Sequence, residues 1–454
     1  MNHFTAIILA AGKGTRMKSE RPKVLHEVAG RAMLDHVLAA AEEAGASRRL
    51  VVIGYGGERV AQAVAGRAET VVQEEQLGTG HALLASYKAL RDFSGTIMVL
   101  CGDTPLLRAE TLHQFYQEHQ ASGAKATVLT AILDDPSGYG RIIRDDFGGV
   151  CRIVEQKDAT ESERSVREIN TGIYCFEAPL VFDVLAGVGS NNAQGEYYLT
   201  DVLGDLVARG QSVRAVVVGD AEEVMGINAR VQLAEAEAVL KRRVLLALME
   251  NGVTVVDPAS TFVEPTVKIA CDTILYPFTW LGGNTVIGKD CRIGPNTRLT
   301  NVQVGDKTEI HFSYAHDCTV GSDVKVGPFA HLRPDTVLAD KVKVGNFVEV
   351  KNSNVGEGSK LPHLSYIGDT DMGAGVNMGC GTITVNYDGK TKHRTTIADG
   401  AFVGCNTNLV APVTVGKDSY IAAGSTITKE VPEGALGVAR ARQSNLAGWA
   451  KKHS

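Results

Sequence analysis

No stretch of this 454-residue chain approaches the apolar length that a membrane-crossing helix needs. The N-terminal segment Met1-Asn2-His3-Phe4-Thr5-Ala6-Ile7-Ile8-Leu9-Ala10-Ala11-Gly12 has no basic region leading into a long apolar run and a small-residue cleavage site. It reads as a buried strand, not an export signal. Eight cysteines are scattered singly, without Cys-x-x-Cys or zinc spacing. Reduced thiols in a cytoplasmic protein are the expectation. A basic excess is also lacking. The net charge of −6 and pI near 6.1 argue against nucleic-acid or anionic-membrane partners, while leaving room for local basic sites on small phosphorylated ligands. His311 and His316 have no Glu-bearing helical motif beside them and are read as surface residues, not a metal pair.

Apolar content of 44% with 22% charged residues is ordinary for a globular chain with room for two or three domains. An aliphatic residue returns every sixth position in two runs. The first is Val320, Val326, Leu332, Leu338, Val344, Val350, and the second is Ile397, Val403, Leu409, Val415, Ile421, Ile427. That period fits neither a helix nor a flat strand. It fits a parallel β-helix of hexapeptide repeats, with the aliphatic residue inward and a small residue at the corner. The coils are expected from residue 253 onward, irregular until about residue 320, with a phase break at Val355. The stretch 384–396 should protrude between coils, and 440–454 should form a polar, basic tail or short helix.

Residues 1–227 instead alternate short apolar runs (6–10, 50–53, 96–100, 127–133, 213–218) with helical patterns (33–44, 80–91, 109–121), implying a mostly parallel sheet covered on both faces. Residues 228–250 read as one helix without Gly or Pro, a stiff spacer stopped by Asn251-Gly252. The chain therefore divides into 1–227, a linker helix 228–250, and 251–454.

After the first strand comes Leu9-Ala10-Ala11-Gly12-Lys13-Gly14-Thr15-Arg16-Met17, then Pro22-Lys23. The glycines let backbone N–H groups approach phosphates, and Arg16 and Lys23 supply charge, although the order is not that of a Walker loop. Gln73 to Gly80 offers amide and hydroxyl groups suited to a base or sugar. Asp103 ends an apolar strand, where a carboxylate either caps a turn or serves as a hard ligand for Mg²⁺. In the repeats, Arg333 and Lys351 each follow an inward aliphatic residue and stand one coil apart. Like charges so stacked repel unless an anion lies between them, or unless Glu349 forms a local ion pair. His363 lies a coil further on.

These motifs resemble the bacterial bifunctional N-acetylglucosamine-1-phosphate uridyltransferase / glucosamine-1-phosphate acetyltransferase family over nearly the whole chain. Gly138-Tyr139-Gly140-Arg141, Ile153-Val154-Glu155, Asn170-Thr171-Gly172, Glu196-Tyr197-Tyr198-Leu199-Thr200-Asp201 and Gly226-Ile227-Asn228 follow in order. The resemblance implies an α/β plus β fold: an N-terminal Rossmann-like nucleotidyltransferase domain, the linker helix, and a C-terminal left-handed parallel β-helix. It implies that Leu9, Ala10, Ala11, Gly12, Lys23, Gln73, Gly78, Thr79, Gly140, Glu155, Asn170 and Asn228 bind UTP or the UDP-sugar. Asp103 and Asn228 would ligate Mg²⁺, with Arg16 and Lys23 neutralising charge in the reaction. It makes His363 the general base of acetyl transfer, with Glu349 a candidate for orienting it. Arg333, Lys351, Tyr366 and Asn377 fall to glucosamine-1-phosphate; Cys380, Asn386, Tyr387, Cys405, Ala423 and Arg440 fall to acetyl-CoA. Cys380 and Cys405 depart from the alanine and serine familiar there. A homotrimer is implied as well. The competing readings are a monofunctional nucleotidyltransferase with a β-helix used only for assembly or regulation, and a non-enzymatic scaffold.

Overall fold

A computed structural model describes residues 4–450; the end of the basic tail lies outside the described residues. The chain divides into two compact units at Leu240/Lys241. In the first, Phe4–Leu9 lies at the heart of a sheet. The strand order is Val213–Val217, Ala126–Ile132, Glu168–Glu177, Thr96–Cys101, Phe4–Leu9, Ala46–Ile53, Glu69–Val72. Along this path only Glu168–Glu177 runs antiparallel to its neighbours. The unbroken apolar run of the central strand is explained by burial on both sides. Ala6 and Ile8 pack in one cluster with Val37, Leu38 and Phe115; Ile7 packs in another with Leu83, Phe182 and Leu203.

Every strand and helix expected in this unit is present, with one correction. The pattern at 80–91 is a helix Thr79–Ala85 followed by a separate turn Tyr87–Leu90. Ser86 is buried there and donates its hydroxyl to the Leu83 carbonyl at 2.6 Å, a local bond that competes with helix continuation. The helix Arg230–Glu250 crosses the division between the units. Ala236 and Val239 join Val28, Met33, Leu106 and Ile227 in a core of the first unit, whereas Leu245 belongs to the core of the second.

The second unit is a parallel β-helix with three walls per coil. Lys325, Lys343 and Lys360 follow one another up the first wall, His331, Glu349 and Tyr366 up the second, and Val337, Asn354 and Asp371 up the third. The sixth-residue aliphatics point inward. Val326, Leu332, Leu338, Val344 and Val350 are each at most 1% exposed. The expected irregularity before residue 320 is corrected. Coils are paired in register from Thr254 on. The hexad already runs unbroken through Val263, Ile269, Leu275, Leu281, Ile287, Ile293 and Leu299. What separates it from the run at Val320 is the spacing of five from Leu299 to Val304, and again from Ile310 to Ala315 to Val320, all buried. A five-residue wall loses one corner residue yet keeps strand pairing and core, so the sequence period breaks where the structure does not. Val350 to Val355 is another such wall. The protruding insertion is narrower than expected, because Ile383–Val385 and Thr395–Ile397 remain wall strands and only residues 386–394 leave the prism.

Candidate active sites

Leu9 brings the chain to the carboxyl edge of the sheet, and buried Ala10 and Ala11 lead into the glycine loop. Gly14 has φ 59°, and a Cβ there would sit 2.6 Å from Cβ of Lys23, so a side chain would displace that lysine. Gly12 faces open space and leaves backbone free for a ligand. Arg16 is exposed on the single turn Thr15–Met17, anchored by buried Met17. The Lys23 ammonium forms an ion pair with Asp103 Oδ2 and donates to Asn228 Oδ1 at 3.0 Å. Two oxygens 125 residues apart in sequence thus converge on one positive charge. The convergence has a backbone cause: Ile227 N–H donates to the Asp103 carbonyl at 2.9 Å, pinning Gly226-Ile227-Asn228 beside the strand end. Gln232 Oε1 then accepts from the N–H groups of Asn228 and Ala229, at 2.7 and 3.1 Å, starting the long helix.

Gln73 is buried, and its amide nitrogen reaches the Gly78 carbonyl and His81 Nδ1, each at 3.1 Å. The segment beyond it is zipped to the Glu196–Asp201 motif. Tyr197 N–H donates to Leu77, Gly80 N–H donates to Tyr197, both at 2.8 Å, and Leu199 N–H donates to Thr79 Oγ1 at 3.1 Å. A Cβ on Gly78 (φ 111°) would meet the Tyr197 carbonyl at 2.7 Å, which is why glycine stands there. Asn170 N–H donates to Gly140 at 2.9 Å. A Cβ on Gly140 would lie 3.4 Å from Glu155 Oε1 and 3.5 Å from Asn170 Cβ, so these three expected sugar residues do meet. Asn170 Oδ1 accepts from Tyr174 OH and Gly172 N–H, each at 3.0 Å, at an irregularity in the strand. Burial first, then nearby Asp158, Asp201 and Glu196, holds the Glu155 carboxyl above its ordinary range, partly opposed by a bond from the Thr200 hydroxyl. Burial chiefly, with Asp103 adding, pushes the Cys101 thiol up to about 12, which removes it as a nucleophile.

Sequence reasoning quoted Arg141 only as part of a motif. The structure buries it to 1% exposure, and among the described residues no carboxylate lies in hydrogen-bond reach. Its guanidinium donates to the Tyr139 carbonyl and, at 2.7 Å, to Gln156 Oε1, bracing the chain on both sides of Gly140 and Glu155.

On the β-helix, His331 lies opposite Glu349 and Leu332 opposite Val350, and Arg333 N–H donates to the Val350 carbonyl at 2.8 Å. Arg333 and Lys351 are therefore stacked one coil apart as expected. Arg333 Nη1 also donates to Glu349 Oε1 at 2.7 Å, so the local ion pair is present too. Glu349 is thereby corrected as the orienting partner of His363. The ring's Nδ1 instead meets Asn346 Oδ1 at 2.8 Å. A second residue that the sequence did not single out is Lys392, on the protruding hairpin. Lys351 beside it holds the Lys392 ammonium below its usual value, with smaller opposing effects from Asp369 and Tyr366. Buried Asn386 donates to Asp369 Oδ2 and, at 3.4 Å, to Tyr366 OH, while Tyr387 at the hairpin base is exposed. The corner between first and second walls carries His363, Cys380, Cys405 and Ala423 in successive coils. Gly381 N–H donates to Leu364 at 3.0 Å, Asn406 N–H to Cys380 at 2.7 Å, and Gly424 N–H to Cys405 at 2.8 Å. Arg440 joins this column through a 2.8 Å bond to the Ala423 carbonyl. Asn377 lies on the first wall between Lys360 and Phe402, and no hydrogen bond joins it to Arg333, Lys351 or Tyr366 among the described residues.

Three family models match the chain. One described as a MobA-like NTP transferase domain covers residues 6–143, a GMPPB C-terminal domain covers 258–365, and a bacterial transferase hexapeptide of six repeats covers 394–429. The bifunctional protein GlmU of Geobacillus sp. (strain WCH70) is 52% identical over 449 residues, spanning 99% of this chain and 98% of that protein. That of Heliobacterium modesticaldum is 56% identical over 442 residues, 97% of this chain and 96% of the relative. That of Brevibacillus brevis is 51% identical over 452 residues, 100% and 98% of the two chains. Similarity at this level spans both units; the chain belongs to the bifunctional GlmU family.

Proposed function

We propose that this chain makes UDP-N-acetylglucosamine in two steps at two separate sites, first acetylating glucosamine-1-phosphate with acetyl-CoA and then transferring UMP from UTP. The observation that carries this reading is the presence of two built sites on one chain. One is Lys23 with Asp103 and Asn228 at the sheet edge; the other is the Arg333–Lys351 stack in the two coils below that of His363.

In uridylyl transfer, an oxygen of the sugar phosphate attacks the α-phosphorus of UTP and pyrophosphate leaves. A phosphate dianion needs no strong base, so alignment and charge neutralisation carry the rate. The glycine loop receives the nucleotide phosphates, with Gln73, Gly78 and Thr79 on the base and sugar. Arg16 and Lys23 neutralise charge. Gly140, Glu155 and Asn170 hold the sugar. Asp103 and Asn228 fit Mg²⁺, since both already turn an oxygen toward a single cationic point. The metal would supply further neutralisation of the phosphate oxygens there.

In acetyl transfer, the sugar amine attacks the thioester carbon, CoA leaves as the thiolate, and His363 takes the amine proton. Arg333, Lys351 and Tyr366 hold the sugar phosphate, with Lys392 alongside, and the column Cys380, Cys405, Ala423 and Arg440 runs along the pantetheine and nucleotide of CoA. Asn377 and the hairpin residues Asn386 and Tyr387 complete the assignment. The protein is read as a cytoplasmic homotrimer. Phe312, Phe329 and Phe347 stand exposed on the same corner of three successive coils, with Phe278 on that corner two coils below Phe312, beside Trp280 and Tyr314. An apolar surface of that extent fits burial against a second copy. Among the described residues no helix is long and apolar enough to cross a membrane.

Acetyl-CoA plus glucosamine-1-phosphate, without UTP, should release free CoA thiol. Asp103→Asn should lose most UDP-sugar formation while keeping that thiol release. Equal loss of both in a folded variant would defeat the two-site reading.

A further inference from the structure

His363 does not stand alone at its corner. Asn346 is its partner in register one coil below and contacts the His363-Leu364 pair at two points. Leu364 N–H donates to the Asn346 carbonyl at 2.9 Å, and the Asn346 side-chain oxygen lies 2.8 Å from His363 Nδ1. The neighbouring Gly345 permits this approach. A Cβ there would lie 1.9 Å from the Pro362 carbonyl, so the coil bearing the histidine could not seat so closely over any other residue. The His363 ring is otherwise exposed, and among the described residues no charged side chain pairs with it.

We propose that Asn346 is the positioning residue of the acetyl-transfer base. This rests on the reading of His363 as that base. An amide oxygen only accepts, so the proton between the two residues belongs to Nδ1 of the ring. Nε2 is then left with its lone pair free and aimed away from the coil below, the tautomer required to take a proton from an attacking amine. Carboxylates are the common orienters of such histidines, and Glu349 is occupied by Arg333. A neutral orienter has a distinct consequence: it fixes the tautomer without adding negative charge that would hold the imidazolium.

The test uses the full-length enzyme, with three variants and two assays. Asn346→Leu should lower kcat for acetyl transfer by about 100-fold, the scale of a misplaced catalytic group, with KM for glucosamine-1-phosphate within about threefold of wild type. Asn346→Asp keeps an acceptor that cannot turn an N–H toward the ring. It should retain most activity at high pH, while its acidic limb moves to higher pH by about one unit, because the new charge holds the proton on the ring. Uridylyl transfer from supplied N-acetylglucosamine-1-phosphate should be unchanged in both, which certifies folding. His363→Ala is the control for the parent reading. Should it still acetylate, the histidine is not the base and that reading fails. Should it be inactive while Asn346→Leu turns over normally, only the role of Asn346 fails. An inactive Asn346→Asp would mean that the amide donates to the ring, and it overturns the proposal equally.

Discussion

At Asp103 two positive charges compete for one place. The Lys23 ammonium now occupies the point where Asp103 and Asn228 would hold a divalent ion. A metal entering the nucleotide-free site must displace it, and the freed ammonium can then meet phosphate. Lys23→Met should therefore tighten Mn²⁺ binding without nucleotide by about tenfold, roughly 1.4 kcal/mol, while lowering uridylyl transfer. A lysine that served only the nucleotide would leave metal affinity unchanged, and a Mn²⁺ titration separates the two. Glu155 gives a pH-dependent counterpart. Its carboxyl is raised, with burial the largest cause, so the folded state binds its proton more tightly than the unfolded one. The sign follows: its contribution to stability is fully present below the ordinary value of 4.5 and is lost as pH rises through the folded value. Glu155→Gln should melt like wild type below pH 4.5 and increasingly above wild type toward neutrality, at the expense of sugar binding. Thermal melts across pH check this, and an equal gain at every pH would contradict it.

Within a coil, register decides which charges meet. Arg333 and Lys351 are stacked because a coil here advances 18 residues, and the Arg333–Glu349 pair does not by itself explain that stack. Both partners are 38% exposed, and such pairs contribute about 0–1 kcal/mol. Loss of a charged hydrogen bond to a bound phosphate costs about 1.5–3 kcal/mol. Replacing either cation by alanine should thus barely move Tm but weaken glucosamine-1-phosphate binding by about that larger amount, with the double variant losing less than the sum. Calorimetric titration beside the melt decides, and lost stability with unchanged affinity would favour a purely structural pair.

Across the whole molecule, the helix Arg230–Glu250 serves two cores, and Leu245, 2% exposed, closes the one in the β-helix. A fragment 251–454 lacks it. It should acetylate glucosamine-1-phosphate yet melt below a fragment 230–454, because removing a buried leucine costs about 2–5 kcal/mol. Sedimentation of the longer fragment should give a trimer, and an active monomer would contradict the assembly proposed.

Periodicity determined much of this by itself. The strand-helix alternation, the inward hexad residues and the order of the glycine, strand-end and Gly140-to-Asn228 motifs were legible because burial and backbone geometry impose fixed spacings on apolar residues and glycines. The continuity between the early hexads, Val263 to Leu299, and the run from Val320 was not legible, since five-residue walls such as Leu299 to Val304 keep their core while breaking the period. Nor were the partners. Whether Glu349 turned to Arg333 or to His363, and whether Asn346 met the ring, depended on rotamers across adjacent coils. Lys392 reached Lys351 only because a hairpin folds back. Spacing along a chain fixes which backbone positions become neighbours; which of two nearby acceptors a side chain chooses is decided only when the packed coils fix its direction.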